Sequence, residues 1–248
     1  HSTSCNTQRR IKECAQEYKK LIYPVSTNTA KQKQGLLAIL LVLAIIVIDQ
    51  WIKIEVKTNM TLYESREVTP WFYIYFIENN GMAFGMSFIN KIVLSLFRCA
   101  AIVLLSIYLY RQIIRGARWV YVILLSMLLA GAMGNLLDCM FYGMIFTQSS
   151  PFYTSYLVPF GEGYSGFLTG KVVDMFYFPL IVTNYPDWMP IVGGQKFIFF
   201  SPIFNFADAA VSCSVISTFI FCRKELSVIS LTRKKNIDNQ KTTDDKEE

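Results

Sequence analysis

Histidine is almost absent from this chain of 248 residues, because its only histidine is the first residue, His1. A Ser-His-Asp triad and a metal site built from histidines are therefore excluded. The chain has six cysteines but no CxxC pair, which argues against a disulfide framework and against a thiol-redox enzyme. We therefore expect a function that uses neither a metal nor another cofactor.

Charged residues are also scarce, at 17% of the chain, whereas 53% of the residues are hydrophobic. The apolar residues are grouped in blocks and do not follow the helix or strand periodicity of a soluble domain. Each block has about the length that a helix needs to cross the hydrocarbon core of a bilayer. The blocks predict four transmembrane helices, at 35–54, 92–110, 119–137 and 203–222.

Lysine and arginine are unevenly distributed between the segments that flank these helices. They are concentrated in 1–34, 111–118 and 223–248. They are sparse in the longer segments 56–91 and 140–202, which are the predicted outer loops. Because cytoplasmic segments carry an excess of Lys and Arg, this distribution predicts that both termini are cytoplasmic. The net charge of +6 then belongs mainly to the inner membrane face and does not indicate a nucleic-acid partner.

The predicted fold class is an all-α membrane protein with a small β-rich element outside the outer face of the membrane. We expect a transmembrane domain over 35–222, a flexible cytoplasmic tail at 1–34 and a charged cytoplasmic tail at 223–248. The β-rich element is predicted from the sequence WFYIYFIEN at 71–79, whose aromatic and β-branched residues favour a strand. A belt of aromatic side chains at the membrane interface is the alternative for this segment.

Four aspartates lie near the outer ends of the predicted membrane segments. Asp49, Asp138 and Asp208 lie on three different predicted helices, and Asp174 lies in the second outer loop. An ionisable residue in a membrane span is energetically unfavourable and is a candidate for function. Polar residues with purely structural roles would be scattered through the bilayer, so the common depth of these four indicates one site near the outer surface.

Asp174 and Asp208 are the best candidates for a catalytic pair. Each lies in an apolar stretch, and only Lys171 provides a cation within four residues of either aspartate. Two carboxylates held together in a low dielectric share a proton, so one can act as an acid while the other activates water. Asp49, in contrast, lies four residues before Lys53, and this spacing predicts a structural ion pair on one helix face.

Asparagines accompany two of these aspartates at helical spacing. Asn135 precedes Asp138 by three residues, and Asn205 precedes Asp208 by the same interval. Residues three apart share one face of a helix, so each amide is expected to lie beside the acid on its own helix. An amide in this position can donate a hydrogen bond that orients the carboxylate.

Five short motifs occur in order along the chain: DQWIK (49–53), NNGMAFG (79–85), GAMGNLLD (131–138), VVD (172–174) and FNFAD (204–208). In these motifs and their order, the chain resembles lipoprotein signal peptidase, also called signal peptidase II. The resemblance implies an aspartic endopeptidase that removes signal peptides from prolipoproteins by cutting just before the lipid-modified cysteine. It implies no cofactor.

The resemblance also implies roles for individual residues. Matching VVD and FNFAD to the family's motifs makes Asp174 and Asp208 the catalytic pair, with Asn205 supporting Asp208. The strand predicted at 71–78 would form a shelf beside the active site. Other matched positions would support the site or hold the substrate: Asp49, Lys53, Asn79, Gly81, Asn135 and Asp138.

The same resemblance implies a location and partners. The location is the bacterial plasma (inner) membrane, with several spans and with the active site near the outer face. The implied partners are diacylglyceryl-modified prolipoprotein substrates and the membrane lipids. The protein is expected to act as a monomer.

Two features depart from the family's usual pattern. Cys139 occupies the position directly after Asp138, where the family usually has arginine. The segment between Asp138 and Asp174 is also longer than in the family. This insertion leaves Asp187 as a second candidate for the partner of Asp208.

Arg98 is a candidate to replace the missing arginine. It lies within the second predicted helix, where an unpaired arginine would be energetically unfavourable. One hypothesis is that Arg98 faces the helix bundle and supplies positive charge near Asp138 or Asp49. The alternative is that its long side chain reaches the outer surface of the membrane.

Three other functions are compatible with polar residues in membrane helices. A small transporter or proton-coupled channel would use the acids as a relay, but a relay spreads through the bilayer, and the inner halves of the predicted helices carry few ionisable groups. A Ser-Lys peptidase would use Lys53 as its base, but no serine at the same depth is evident. A non-catalytic protein that binds lipoproteins is the third alternative.

Overall fold

The structure of this chain is a computed structural model that describes residues 27–79, 91–191, 193–199 and 201–226. Gly81 and the rest of the NNGMAFG motif after Asn79 lie outside the described residues, as do most of the two predicted tails. The described part consists of apolar helices joined to a small antiparallel sheet.

Apolar helices form most of the described chain. Their bounds are Asn28–Asn59 for α1, Lys91–Arg115 for α2, Trp119–Leu137 for α3 and Phe206–Phe221 for α5. A π-helical turn at Asp138–Tyr142 and the short helix α4 at Gly143–Ile145 extend α3. Within the described ranges, α1, α2 and the extended α3 are long and apolar enough to cross a membrane, and α5 is a shorter apolar helix.

The first helix begins earlier than the predicted helix at 35–54. α1 begins at Asn28 because Thr27 caps it, and the Thr27 hydroxyl accepts a hydrogen bond from the Ala30 amide at 3.3 Å. The described end of the tail predicted at 1–34 is therefore helical from Asn28 onward.

The first helix also continues beyond the end of its apolar run. That run ends at Asp49, yet α1 extends to Asn59. Asp49, Lys53 and Lys57 are fully buried, so these three charged side chains face other parts of the protein, whereas Glu55 is exposed. The helix can therefore carry these three charged residues without exposing them to lipid.

The last helix begins later than the predicted helix at 203–222, because residues 203 and 204 form a strand. Asn205 is the N-cap of α5, and its Oδ1 accepts a hydrogen bond from the Asp208 amide at 2.9 Å. The Asp208 carboxylate accepts a hydrogen bond in return from the backbone amide of Asn205 at 3.5 Å. This capping box satisfies two amides that the first turn leaves without a partner, and it orients Asp208 at the start of the helix.

A four-stranded antiparallel sheet lies beside the helices. Its strands are β1 at Ser65–Thr69, β2 at Phe72–Asn79, β3 at Val172–Tyr177 and β6 at Ile203–Phe204, and they lie side by side in that order. A separate hairpin pairs β4 at Ile181–Asn184 with β5 at Lys196–Phe199. The strand predicted at 71–79 is β2, which confirms the small β-rich element of the predicted fold.

One apolar cluster holds the sheet against the helices. Val173 and Met175 of β3 face this cluster, so Asp174 between them faces the opposite side of the sheet. The sheet therefore presents a carboxyl on one side while it is anchored on the other. The buried members of the cluster are Val56, Met60, Phe76, Tyr142, Phe146, Val173 and Met175.

Two glycines allow α3 to approach α1 and α5 closely. A Cβ added at Gly134 would lie 2.8 Å from Asp49 Oδ2, and a Cβ added at Gly131 would overlap the carbonyl oxygen of Ala207. A side chain at either position would push the helices apart. The close approach brings Asp49, on α1, next to the first turn of α5.

Candidate active site

Asp174 lies in the middle of β3 and is only 2% exposed. Its Oδ1 accepts a hydrogen bond from Asn205 Nδ2 at 2.6 Å. Its Oδ2 accepts a hydrogen bond at 3.3 Å from Nδ2 of Asn79, the last residue of β2. Neutral donors therefore hold the carboxyl group on both of its oxygens.

Asp208 lies in the first turn of α5 and is half-buried. Its Oδ1 accepts a hydrogen bond from Asn135 Nδ2, on α3, at 2.7 Å. Its Oδ2 accepts the capping bond from the Asn205 amide. The N-terminus of a helix favours negative charge, and the partial exposure of Asp208 leaves its carboxyl group open to water.

Two asparagines connect these carboxyl groups. Asn205 Nδ2 donates to Asp174 and, at 3.1 Å, to Asn135 Oδ1, and Asn135 Nδ2 donates to Asp208. Helical spacing predicts that the Asn135 side chain lies beside Asp138. In the structure, the Asn135 amide group instead bonds to Asp208 on α5, because α3 and α5 pack closely. The structure thus brings Asp174 and Asp208 into one hydrogen-bonded group.

The surroundings of Asp174 favour its protonated form. Burial raises the pKa of Asp174 to about 7, and the nearby charge of Asp208 adds to the increase. The hydrogen bonds from Asn205 and Asn79 act in the opposite direction, because they stabilise the ionised carboxylate. Near neutral pH, Asp174 can therefore carry a proton, as the acid of a catalytic pair of carboxyl groups requires.

A lysine joins the other two predicted aspartates. Lys53 Nζ lies 2.9 Å from Asp49 Oδ2 and 2.8 Å from Asp138 Oδ2, and all three side chains are 0% exposed. The predicted Asp49–Lys53 ion pair is thus present. Lys53 also donates to Asn135 Oδ1 at 2.8 Å, which links this charged group to the asparagine that holds Asp208.

Gln50, which was not among the predicted site residues, forms a hydrogen bond with the charged group of Asp49, Lys53 and Asp138. Its Nε2 donates to Asp138 Oδ1 at 2.8 Å. Asp49 Oδ1 accepts a hydrogen bond from the Ala207 amide at 2.8 Å, so the group also caps the start of α5. The sequence signal for Gln50 is its place in the DQWIK motif, one helical turn before Lys53.

Comparisons with known proteins show which proteins this chain is similar to. A sequence model of the family described as signal peptidase (SPase) II matches residues 41–223. The chain belongs to the signal peptidase II family. The lipoprotein signal peptidase of Porphyromonas gingivalis is 43% identical over 216 residues, which cover 86% of this chain and 94% of that protein. The lipoprotein signal peptidase of Amoebophilus asiaticus is 33% identical over 181 residues, which cover 68% of this chain and 70% of that protein.

The chain is also similar to a solved structure of a membrane enzyme. A bacterial membrane enzyme determined by the in meso method at 2.3 Å resolution aligns with a TM-score of 0.50 and 26% identity. The alignment covers 77% of this chain and 89% of that chain. The resemblance found in the motifs is therefore confirmed, and this member of the signal peptidase II family is a membrane-embedded aspartic peptidase. These relatives do not support the transporter or channel alternative.

The Arg98 side chain reaches Cys139, the position where the resemblance in the motifs led us to expect an arginine. Its Nη1 donates to Cys139 Sγ at 3.1 Å, and Cys139 is buried. The Arg98 side chain therefore points into the bundle, as one of the two hypotheses predicts, and not to the outer surface. The positive charge between Asp49 and Asp138, however, comes from Lys53. A role for Arg98 in cleavage stays a prediction.

A second buried ionic group, which was not predicted, joins α1 to the sheet. Lys57 Nζ lies 2.5 Å from Glu78 Oε1 and 2.8 Å from Ser149 Oγ, and Glu78 Oε2 lies 3.1 Å from Lys171 Nζ. Burial alone would raise the pKa of Glu78, but the charge of Lys57 and the hydrogen bonds hold that pKa below its usual value. Glu78 is therefore ionised, and the group attaches β2 and the segment between α4 and β3 to α1.

Lys57 and Ser149 form a hydrogen-bonded Ser-Lys pair. The Ser-Lys peptidase considered in the sequence analysis used a different lysine, Lys53. Ser149 is buried, and its hydroxyl donates to Glu78 at 2.7 Å, so it is not presented to a substrate. The Lys57 amine is bound by both Glu78 and Ser149 and is not directed at an open site. The geometry indicates a structural role for this pair.

Asp187, the second candidate partner of Asp208, is exposed in the turn between β4 and β5. Asp174 is the carboxyl group that the asparagines join to Asp208. Among the described residues, no three His, Cys, Asp or Glu side chains are grouped so as to hold a metal ion.

Proposed function

We propose that this chain removes signal peptides from lipid-modified prolipoproteins with Asp174 and Asp208 as its catalytic carboxyl groups. The observation that carries the proposal is the linkage of a buried carboxyl group to a half-exposed one through Asn205 and Asn135. Membership of the signal peptidase II family supplies the class of substrate.

The reaction begins with Asp174 protonated and Asp208 ionised. Asp208 takes a proton from water as the water oxygen bonds to the scissile carbonyl carbon, and Asp174 gives its proton to the carbonyl oxygen. When the tetrahedral intermediate collapses, Asp208 passes its proton to the leaving amine and the carbon–nitrogen bond breaks. Asp174 regains a proton from a hydroxyl group of the intermediate. Both carboxyl groups return to their starting states, so the proton balance closes without a cofactor.

Three asparagines act as positioning residues in this scheme. Asn205 and Asn79 hold the two oxygens of Asp174. Lys53 donates to Asn135 Oδ1, so the opposite, donating end of that amide is directed at Asp208. The buried group of Asp49, Lys53 and Asp138 thus acts on catalysis through Asn135, and we assign it a supporting role.

A topology with four spans and both termini in the cytoplasm agrees with the contacts at one end of the bundle. Arg118, before α3, pairs with Glu225, after α5, at 2.5 Å. Gln34, near the start of α1, donates to the Ala117 carbonyl at 2.8 Å. These contacts join the start of α1, the α2–α3 turn and the end of α5 at the end rich in Lys and Arg. The aspartates then lie near the outer face of the inner membrane.

The proposed peptidase domain covers 35–222, with cytoplasmic tails at 1–34 and 223–248. α5 has 16 residues and is about 24 Å long, so it crosses a core of about 30 Å only together with its flanking residues. One chain supplies every proposed catalytic and positioning residue, which is consistent with a monomer.

The depth of the site fits a lipid-modified substrate. The diacylglyceryl chains can stay in the bilayer while the peptide bond before the modified cysteine reaches the two aspartates at the outer surface. This geometry favours lateral entry of the substrate from the membrane and cleavage just before the lipid-modified cysteine.

The proposal is tested with the purified full chain and a diacylglyceryl-modified prolipoprotein. We expect Asp174→Asn and Asp208→Asn each to stop cleavage, whereas Asp187→Asn, which removes an exposed carboxylate of the same type, keeps wild-type activity. Mass analysis of the product should show the lipid-modified cysteine at its new N-terminus. Full activity of a correctly folded Asp174→Asn or Asp208→Asn variant would remove that residue from the catalytic pair.

A further inference from the structure

The β4–β5 hairpin exposes apolar side chains on both of its faces. Leu180, Ile181 and Val182 are consecutive and are all exposed, and successive side chains of a strand point to opposite faces. Between residues 178 and 202 the charged residues are one acid, Asp187, and one base, Lys196. The start of β4 therefore exposes apolar side chains on both of its faces, in a segment that carries little charge.

The turn of the hairpin is closed by backbone hydrogen bonds and carries two highly exposed apolar side chains. The Tyr185 amide donates to the Gln195 carbonyl at 2.9 Å, and the Gly194 amide donates to the Tyr185 carbonyl at 3.0 Å. Trp188 is 80% exposed and Ile191 is 95% exposed. A turn held by backbone hydrogen bonds thus directs a tryptophan and an isoleucine outward.

Such a hairpin needs an apolar surface to contact. A two-stranded hairpin by itself is only marginally stable in water, and β4 and β5 do not belong to the four-stranded sheet. A group of large exposed apolar side chains close together in the chain indicates a site of interaction with another apolar surface. The position of the hairpin in the fold identifies that surface.

The base of the hairpin lies at the end of a membrane helix. Tyr177, the last residue of β3, pairs with Ile203 of β6, and α5 begins at Phe206. α5 exposes apolar side chains such as Ile216 and Phe219, as a lipid-facing helix does. The apolar surface of the hairpin therefore adjoins the boundary between α5 and the outer membrane surface.

We propose that the β4–β5 hairpin inserts its turn, with Trp188 and Ile191, into the outer leaflet of the membrane. Tryptophan favours the interface between headgroups and acyl chains, and apolar faces of interfacial elements enter this boundary by about 5–10 Å. The hairpin connects the strand of Asp174 to the helix of Asp208. Its insertion anchors that connection at the surface from which a lipid-modified substrate enters.

The test measures the position of Trp188 in the intact protein reconstituted in lipid nanodiscs. Tryptophan emission of the wild type is compared with that of Trp188→Phe, so the difference reports Trp188 alone. We expect this emission to be quenched by lipids brominated just below the headgroups, less by lipids brominated at the chain ends, and little by aqueous iodide. Trp51→Phe gives the reference for an exposed side chain on the membrane helix α1.

Free N-acetyltryptophanamide gives the limit for full exposure to iodide. The proposal is overturned if iodide quenches Trp188 to that limit while brominated lipids leave it unchanged. Protection from both quenchers also overturns it, because the surface would then be covered by protein, either a second copy or a bound substrate. The inference requires the membrane location, but quenching requires no cleavage, so its outcome is separate from that of the peptidase assay.

Discussion

Replacing Lys53 by methionine tests how the buried charged group supports the site. The methionine side chain is flexible and similar in length, so the variant keeps much of the packing and removes the cation. Lys53 Nζ contacts Asp49 at 2.9 Å and Asp138 at 2.8 Å, and none of the three side chains is exposed. Lys53→Met therefore leaves two buried carboxylates near each other without their counterion.

The size of the effect follows from this geometry. Removing one partner of a buried ion pair destabilises a protein by about 3–5 kcal/mol, because an uncompensated charge stays buried. Two carboxylates lose their partner here, so we expect the free energy of unfolding to fall by an amount near the upper end of that range. Cleavage should also be lost, since Asn135 loses the donor that orients it toward Asp208.

The assay is equilibrium unfolding of the purified protein in mixed micelles of increasing denaturing strength. Lys33→Met is the matched control, because Lys33 lies on the same helix and is exposed. A triple variant that also carries Asp49→Asn and Asp138→Asn should recover much of the lost stability, because no buried charge is left unpaired. A Lys53→Met loss below about 1 kcal/mol, the range of exposed ion pairs, would refute the reasoning.

Three further predictions concern the carboxyl pair and the helix packing. The rate of cleavage at saturating substrate should fall as pH rises through about 7, because Asp174 loses the proton that it donates; a rate that is constant across the neutral range contradicts this assignment. Asn79→Ala removes a donor that stabilises the ionised form of Asp174, so the pKa of Asp174 should rise further. The fall in the rate of cleavage should then move to higher pH, by up to about one pH unit for a hydrogen bond of about 1 kcal/mol. A shift to lower pH would show that Asn79 does not stabilise the ionised form. Gly134→Ala should lower the free energy of unfolding by about 1–3 kcal/mol, because the added Cβ would lie 2.8 Å from Asp49 Oδ2. Gly35→Ala is the control, because a Cβ at that position has no atom within 4 Å, and it should not destabilise α1.

Much of the fold was predictable from local sequence. The apolar blocks located the helices because a membrane span needs a continuous apolar stretch. The segment at 71–79 forms β2, as its aromatic and β-branched residues predict. The helix ends were less predictable, because they depend on polar residues. Thr27 caps α1 before its apolar run begins, and Asn205 starts α5 only after a short strand.

Part of the candidate site was predictable as well. The i, i+4 spacing of Asp49 and Lys53 predicts their ion pair, and the i, i+3 spacing of Asn205 and Asp208 matches the capping box at the start of α5. Both are contacts within one element or at its end. Gln50 was accessible only through its motif, because a hydrogen bond to another helix leaves no periodic signal in the sequence.

The sequence by itself determined the class of protein, the family and the residue types available for the chemistry. Only the tertiary structure decided which of these residues meet. Asn135 bonds to Asp208, 73 residues away, because glycines let α3 and α5 approach closely. β2 and β3 pair so that Asn79 reaches Asp174. Helical and strand periodicity relate near neighbours in the chain, whereas the burial that gives Asp174 its proton depends on how distant elements pack.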